Sequence, residues 1–209
     1  MTTRNIIKTT TLLLISLFVF FIDNCTAKAL HGIAGFRLGS NIEKCENLIC
    51  KKTAVPIRYN KCVEEVEIKN IEGYKSGIIA YGKCVYPNQI IRIKLKYADS
   101  SRKFYDILLD KFKKRFGNPS EWKGDPFHIV IAWKWSFKDK NGGKVTLIVQ
   151  HNNEDDNQKK GNSVKLTLLS FMEKEIFYYR KQKKNNNNNK KKNIFKKKKY
   201  VNWEKFIPY

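Results

Sequence analysis

The stretch QIIRIKLKYADSSRKFYDILLDKFKKRFGNP, Gln89–Pro119, decides how the rest of the chain is read. Its opening residues alternate. Ile91, Ile93, Leu95 and Tyr97 point one way; Arg92, Lys94 and Lys96 point the other. A period of two is that of a half-buried β-strand. The pattern then changes. Asp99, Ser100 or Ser101 can cap a helix, and Phe104, Ile107, Leu108, Phe112 and Phe116 recur at helical spacing. Gly117 and Pro119 stop it. A strand with one polar face belongs to an antiparallel sheet covered on one side. Parallel strands, buried on both faces, read as continuous apolar runs.

Upstream, GIAGFRLGS reads as a short strand ending at Gly39. Ser40 can cap a helix to about Cys50, with Ile42, Cys45, Leu48 and Ile49 on one side. Pro56 ends that region. Lys61–Asn70 alternates, IEGY is a turn signal, and Lys75–Val85 returns as the second arm of a hairpin. With Gly73 at its centre, Ile68 faces Ile78, Val66 faces Ala80 and Cys62 faces Cys84. Opposed residues at a non-hydrogen-bonded position lie within disulfide reach, which predicts Cys62–Cys84.

Downstream, Phe127–Asp139 alternates, with Ile129, Ile131, Trp133, Trp135 and Phe137 on one face. Asn141-Gly142 signals a hairpin turn. Lys144–Gln150 returns, a polar loop runs from His151 to Asn162, and Ser163–Ser170 is a last strand. The expected fold is α+β: a single antiparallel sheet of about six or seven strands with two helices packed on one face. A strand, a helix and three strands occur twice, at about Ile33–Ile91 and Ile90–Leu169. This is a tandem repeat of pattern, not of residues.

The chain has 209 residues, enough for one ordinary domain, and a formal net charge of +23. From Arg180 onward there are 12 basic residues and one acid. The Lys/Asn-rich segment 178–209 is expected to lack structure, since blocks of like charge with no apolar period do not fold alone. Adenine-rich codons give the same composition without selection for binding; a polycation gripping anionic lipid or polymer is the other reading. At the other end, Arg4 and Lys8 precede the apolar run Thr11–Ile22 and the A-x-A site Ala27-Lys28-Ala29. This reads as a signal peptide, 1–29, leaving a domain at 30–177 that is periplasmic or secreted. An uncleaved anchor and a lipidated Cys25 are the alternatives, though Asn24 departs from a lipobox. The run is short for a membrane span, so none is expected in the mature form. Cys45, Cys50, Cys62 and Cys84 remain, as disulfides in an oxidising compartment or as buried thiols.

Catalytic motifs are not recognisable, and no cofactor or metal site is assigned. His151 with Glu154, Asp155 and Asp156 offers a cation site or a solvated loop. A cysteine–histidine pair assembled in space is a further alternative. Trp133 and Trp135 read as core; Trp122 is the better exposed aromatic. The uncovered sheet face collects Arg92, Lys94, Lys96, Lys134, Lys138 and Lys165. These are candidates for binding an anion, and equally for a solvated face that keeps the sheet soluble.

The GFRLGS opening into an amphipathic helix, followed by strands, resembles the start of many small exported bacterial modules. The repeated helix-plus-strands order, over about residues 33–170, is similar to that of beta-lactamase-inhibitor-like and outer-membrane-assembly lipoprotein modules. The chain also resembles uncharacterised exported proteins of Gram-negative bacteria, a likeness that implies no activity. The export signal, the compact α+β pattern and the missing catalytic constellation lead to an expectation of a non-catalytic exported binding module that contacts an envelope protein or an anionic envelope polymer or lipid surface. The alternatives are an enzyme with a site assembled near the His151 loop, and a nucleic-acid binder using the basic face and tail. Export and inward-pointing aromatics weigh against the last.

Overall fold

A computed structural model of the protein describes residues 30–139, 141–154 and 159–195, with side chains as far as Asn185. A small hairpin comes first, β1 (Gly32–Ile33) and β2 (Phe36–Arg37). Its turn residues Ala34 and Gly35 both have positive φ, 53° and 84°, as a two-residue hairpin turn with the right twist requires. The single short strand expected here is therefore two.

Eight further strands make one antiparallel sheet. They are β3 (Val55–Ile57), β4 (Asn60–Glu67), β5 (Tyr74–Gly82), β6 (Ile90–Tyr97), β7 (Glu121–Trp122), β8 (Val130–Lys138), β9 (Lys144–Asn152) and β10 (Gly161–Leu168). Their order is β3-β4-β5-β6-β10-β9-β8-β7. The α+β class holds, with more strands than the expected six or seven. The extra strands, β3 and β7, are two short edges of three and two residues, too brief to carry a period. Each half of the chain is a helical segment, a short edge strand and three long strands. The halves join through their last strands, with Lys94 opposite Lys165 and Leu95 opposite Val164.

The two expected helices cover one face. The first is not an α-helix: Ile42–Leu48 forms 3-10 turns broken at Cys45 (φ −117°). Asn41, not Ser40, caps it by accepting from the Glu43 amide at 2.9 Å; the Ser40 hydroxyl donates to the Arg37 carbonyl. The second, α1 (Arg102–Phe116), is capped by Ser101 and closed by Gly117 as read. Its stripe is rotated from the expected one. Tyr105 and Leu109 are buried, Phe104, Leu108, Phe112 and Phe116 are half-buried, and Ile107 is 49% exposed. A phenol deep in the core changes which residues face the sheet, and an apolar count alone skips it. Beneath α1 lie Leu147, Val149, Val164 and Leu166, all buried.

The β4–β5 register differs from the expected one by one residue. Val66 pairs with Ile79 and Glu67 with Ile78. The turn pivots between Glu72 and Gly73, not on Gly73: Tyr74 N–H donates to the Ile71 carbonyl, and Gly73 supplies φ +82°. The disulfide Cys62–Cys84 nonetheless forms, with Cα atoms 5.2 Å apart. β5 ends at Gly82, and the bend that follows brings Cys84 back to Cys62. Cys45 and Cys50 are free thiols.

A third helix, α2 (Leu169–Phe195), follows β10 directly. It packs on the opposite face, placing Met172, Phe171 and Ile176 against Val63, Ala80 and Ile91. Glu175 is fully buried there and accepts hydrogen bonds from the Val85 and Tyr86 amides. Bounds expected at 177 and 178 fall inside α2. The expected signal segment 1–29 and residues 196–209 of the expected tail lie outside the described residues. No helix among the described residues is long and apolar enough to cross a membrane.

Candidate functional site

α2 crosses one end of its face and leaves the rest open. Strand register fixes what lies there, because side chains alternate and paired residues share a face. One row across the sheet is Ile78, Lys94, Lys165, Ile148 and Lys134. The row beside it toward α2 is Ala80, Arg92, Thr167, Thr146 and Ser136. On the other side lie Ser76, Lys96, Ser163, Gln150 and Ala132. Alternation thus places all six candidate cations on one face, although they come from three strands.

They do not form one cluster. Lys94, Lys96 and Lys165 line a groove of about 390 Å³, together with Ser76, Ser163 and Gln150. Arg92 sits in the adjoining row, with its guanidinium 3.7 Å from Glu65. Lys134 lies beyond Ile148 and is committed to the β7 edge, its Nζ 2.9 Å from Glu121. Glu121 also pairs with Lys123, and the two ammonium donors hold its carboxyl below the usual range. Lys138 is exposed at the end of β8, opposite Lys144, away from the groove.

The groove is electropositive. No acidic residue among the described residues lines it. Lys94 and Lys165 are directly opposed on neighbouring strands, an arrangement of like charges that weakens a sheet. Burial, and then the charges of Arg92 and Lys94, lower the pKa of Lys165 below the ordinary lysine value of 10.5. Ser76, Ser163 and Gln150 add neutral donors. Composition points only to the charged residues; the serines and the glutamine follow once strand parity is extended to every residue of the face.

The other candidate chemistry is dispersed. His151 is not in a loop: β9 extends through Asn152, and His151 is 6% exposed. Its Nδ1 lies 2.7 Å from Asn162 Oδ1, and Asn162 Nδ2 donates to the Asp99 and Ser101 carbonyls. This chain of bonds ties the start of α1 to the sheet. Asp155 and Asp156 lie outside the described residues. His128 is in a turn before β8, with φ 57°, and not in a strand. Asp125 organises that turn by accepting from the Phe127 and Val130 amides. Ile129 is consequently half-exposed and outside the aromatic row.

Cys62, Cys84 and Glu175 approach one another within 4.8 Å, but both sulfurs are in the disulfide and have no thiolate for a metal. Burial pushes the Cys45 thiol up, away from nucleophile chemistry. Trp135 is core, and its indole N–H donates to the Gly117 carbonyl. Trp122 packs edge-on against Trp133 with ring centroids 4.8 Å apart and closes the core edge. No family model, curated protein or solved structure matches the chain.

Proposed function

We propose that the protein is a non-catalytic exported binding module, periplasmic or secreted, whose basic sheet face receives an anionic envelope polymer or an acidic surface of an envelope protein. The opposed pair Lys94–Lys165 above a groove lined by no described acid carries this reading. A face kept basic only for solubility gains nothing by setting two ammonium groups directly across from each other. Scattered or paired lysines solvate as well and cost less. An anion in the groove removes the repulsion and gains charge-assisted hydrogen bonds. Export is supported by Arg4, Lys8 and the apolar run before Ala29, and the disulfide suits an oxidising compartment.

Polyphosphate is the probe of choice, titrated into the purified protein at low salt. The Lys94→Glu/Lys165→Glu variant is expected to bind more than about tenfold more weakly, equivalent to about 1.4 kcal/mol. Unchanged affinity in the variant contradicts the reading. The pH dependence has a defined sign. The Lys165 pKa is lower in the folded protein than in the unfolded chain, so as pH rises through that lowered value the unfolded state holds more protons. Stability is therefore expected to rise on this limb while polyphosphate affinity falls.

A further inference from the structure

The outward side of α2 has no role in the groove. Met172, Glu175 and Ile176 turn toward the sheet. At about 100° per residue, Lys174, Phe177, Tyr178, Lys181 and Lys184 then fall on the side turned away from it. Phe177 is 70% exposed and Tyr178 40% exposed, with Val85 at 38% sharing the same hollow. Arg180, Lys181, Lys183 and Lys184 are exposed around Phe177. From Ile176 to Phe195 the sequence has seven basic residues and no acid; one exposed acid, Glu173, lines the hollow with Val85, Phe177 and Tyr178. Two aromatics are therefore held in water by a helix whose buried side is already satisfied.

We propose that this side of α2 is a docking surface for an anionic lipid bilayer. A helix lying in a headgroup layer needs an apolar strip to enter the acyl boundary and cations beside it to meet anionic headgroups. Phe177, Tyr178 and Val85 supply the strip. Lys181 and Lys184 are long enough to bury their stems beside it while their ammonium groups reach the phosphates; Lys174 donates to the Tyr86 hydroxyl at 2.8 Å. An acidic protein would satisfy the charges but leaves the aromatic strip without a reason. The surface is separate from the groove, so one can fail while the other stands.

The test uses the full chain with two kinds of vesicle, pure phosphatidylcholine and phosphatidylglycerol:phosphatidylcholine at about 3:7. The readout is the ratio of the two partition coefficients, which cancels any contribution from the apolar run Thr11–Ile22. Lys181→Glu/Lys184→Glu is expected to lower that ratio more than about tenfold. Phe177→Ser/Tyr178→Ser is expected to lower binding to the anionic vesicles by a similar factor. Lys94→Glu/Lys165→Glu leaves the ratio within about twofold. All these positions are exposed or partly exposed, and circular dichroism confirms that each variant is folded. A ratio unchanged in Lys181→Glu/Lys184→Glu, anionic-vesicle binding unchanged in Phe177→Ser/Tyr178→Ser, or a ratio lowered by the groove variant alone, overturns the proposal.

Discussion

Asn162→Ala is expected to destabilise the fold by about 3 kcal/mol, read as a fall in the urea midpoint. Asn162 is fully buried and makes three hydrogen bonds. Its Nδ2 is turned toward the Asp99 and Ser101 carbonyls, both at 2.9 Å, so its Oδ1 faces His151. His151 Nδ1 therefore donates to that oxygen, and the orientation of the ring is fixed by this one amide. Alanine leaves two carbonyls and a ring N–H without partners where water is largely excluded. Each such group costs about 1–3 kcal/mol, partly recovered by local relaxation. The loss falls at the N-terminal turn of α1, so Tyr105, which packs with its ring centroid 5.5 Å from that of His151, is expected to gain mobility with it. A loss below about 1 kcal/mol would mean that α1 is held by its apolar side alone.

Breaking the Cys62–Cys84 bond is the second large effect. The bond closes a loop with a sequence separation of 22, for which the chain-entropy relation gives about 3 kcal/mol. It acts together with Glu175. That carboxylate, on α2, accepts from the Val85 and Tyr86 amides just after Cys84, so the same bend is fastened once to β4 and once to α2. Two fasteners on one segment are not independent. Cys62→Ser/Cys84→Ser is expected to lower stability by about 3 kcal/mol. Glu175→Ala is then expected to cost less in that background than in the oxidised protein, because the bend is already loose. A full three-variant cycle in urea checks this. Strictly additive losses would show that the bend does not couple the two attachments.

How much of this was legible depends on the range of the information. β6 and α1 are fixed by local period and caps, and both stand within Gln89–Pro119, except that the bulge opposite Ala80-Tyr81 turns Ile91 from the Ile93 and Leu95 face to the α2 face. The basic face was legible for the same reason, since parity along a strand is a local property. Its focus was not. That Lys94 meets Lys165 follows from β6 pairing with β10, strands about 70 residues apart, and no local pattern announces that pairing. The hairpin register failed on half a residue: a two-residue turn at Glu72-Gly73 and a pivot on Gly73 differ only in where the axis falls. α2 was missed because its inward side carries a buried glutamate amid Met172 and Ile176. Local reading scores Glu175 as solvent-facing, whereas the distant Val85 and Tyr86 amides make it a core residue.

His151 shows the reverse error. Its sequence neighbours Asn152, Asn153 and Glu154 are polar, so it reads as the start of a loop and a candidate for chemistry. The strand continues past it, and a residue eleven positions later takes up its Nδ1.

The central claim is that Lys94 and Lys165 are kept opposed for an anion. Urea unfolding of wild type and Lys94→Met/Lys165→Met, each with and without polyphosphate, tests it in one measurement; urea leaves the charges unscreened where a salt denaturant does not. The account predicts that the variant alone unfolds at higher urea, by about 0.5–1 kcal/mol, because a like-charge pair is gone. Polyphosphate raises the wild-type midpoint and leaves the variant where it was. A variant no more stable than wild type, with polyphosphate raising both midpoints equally, would contradict the claim.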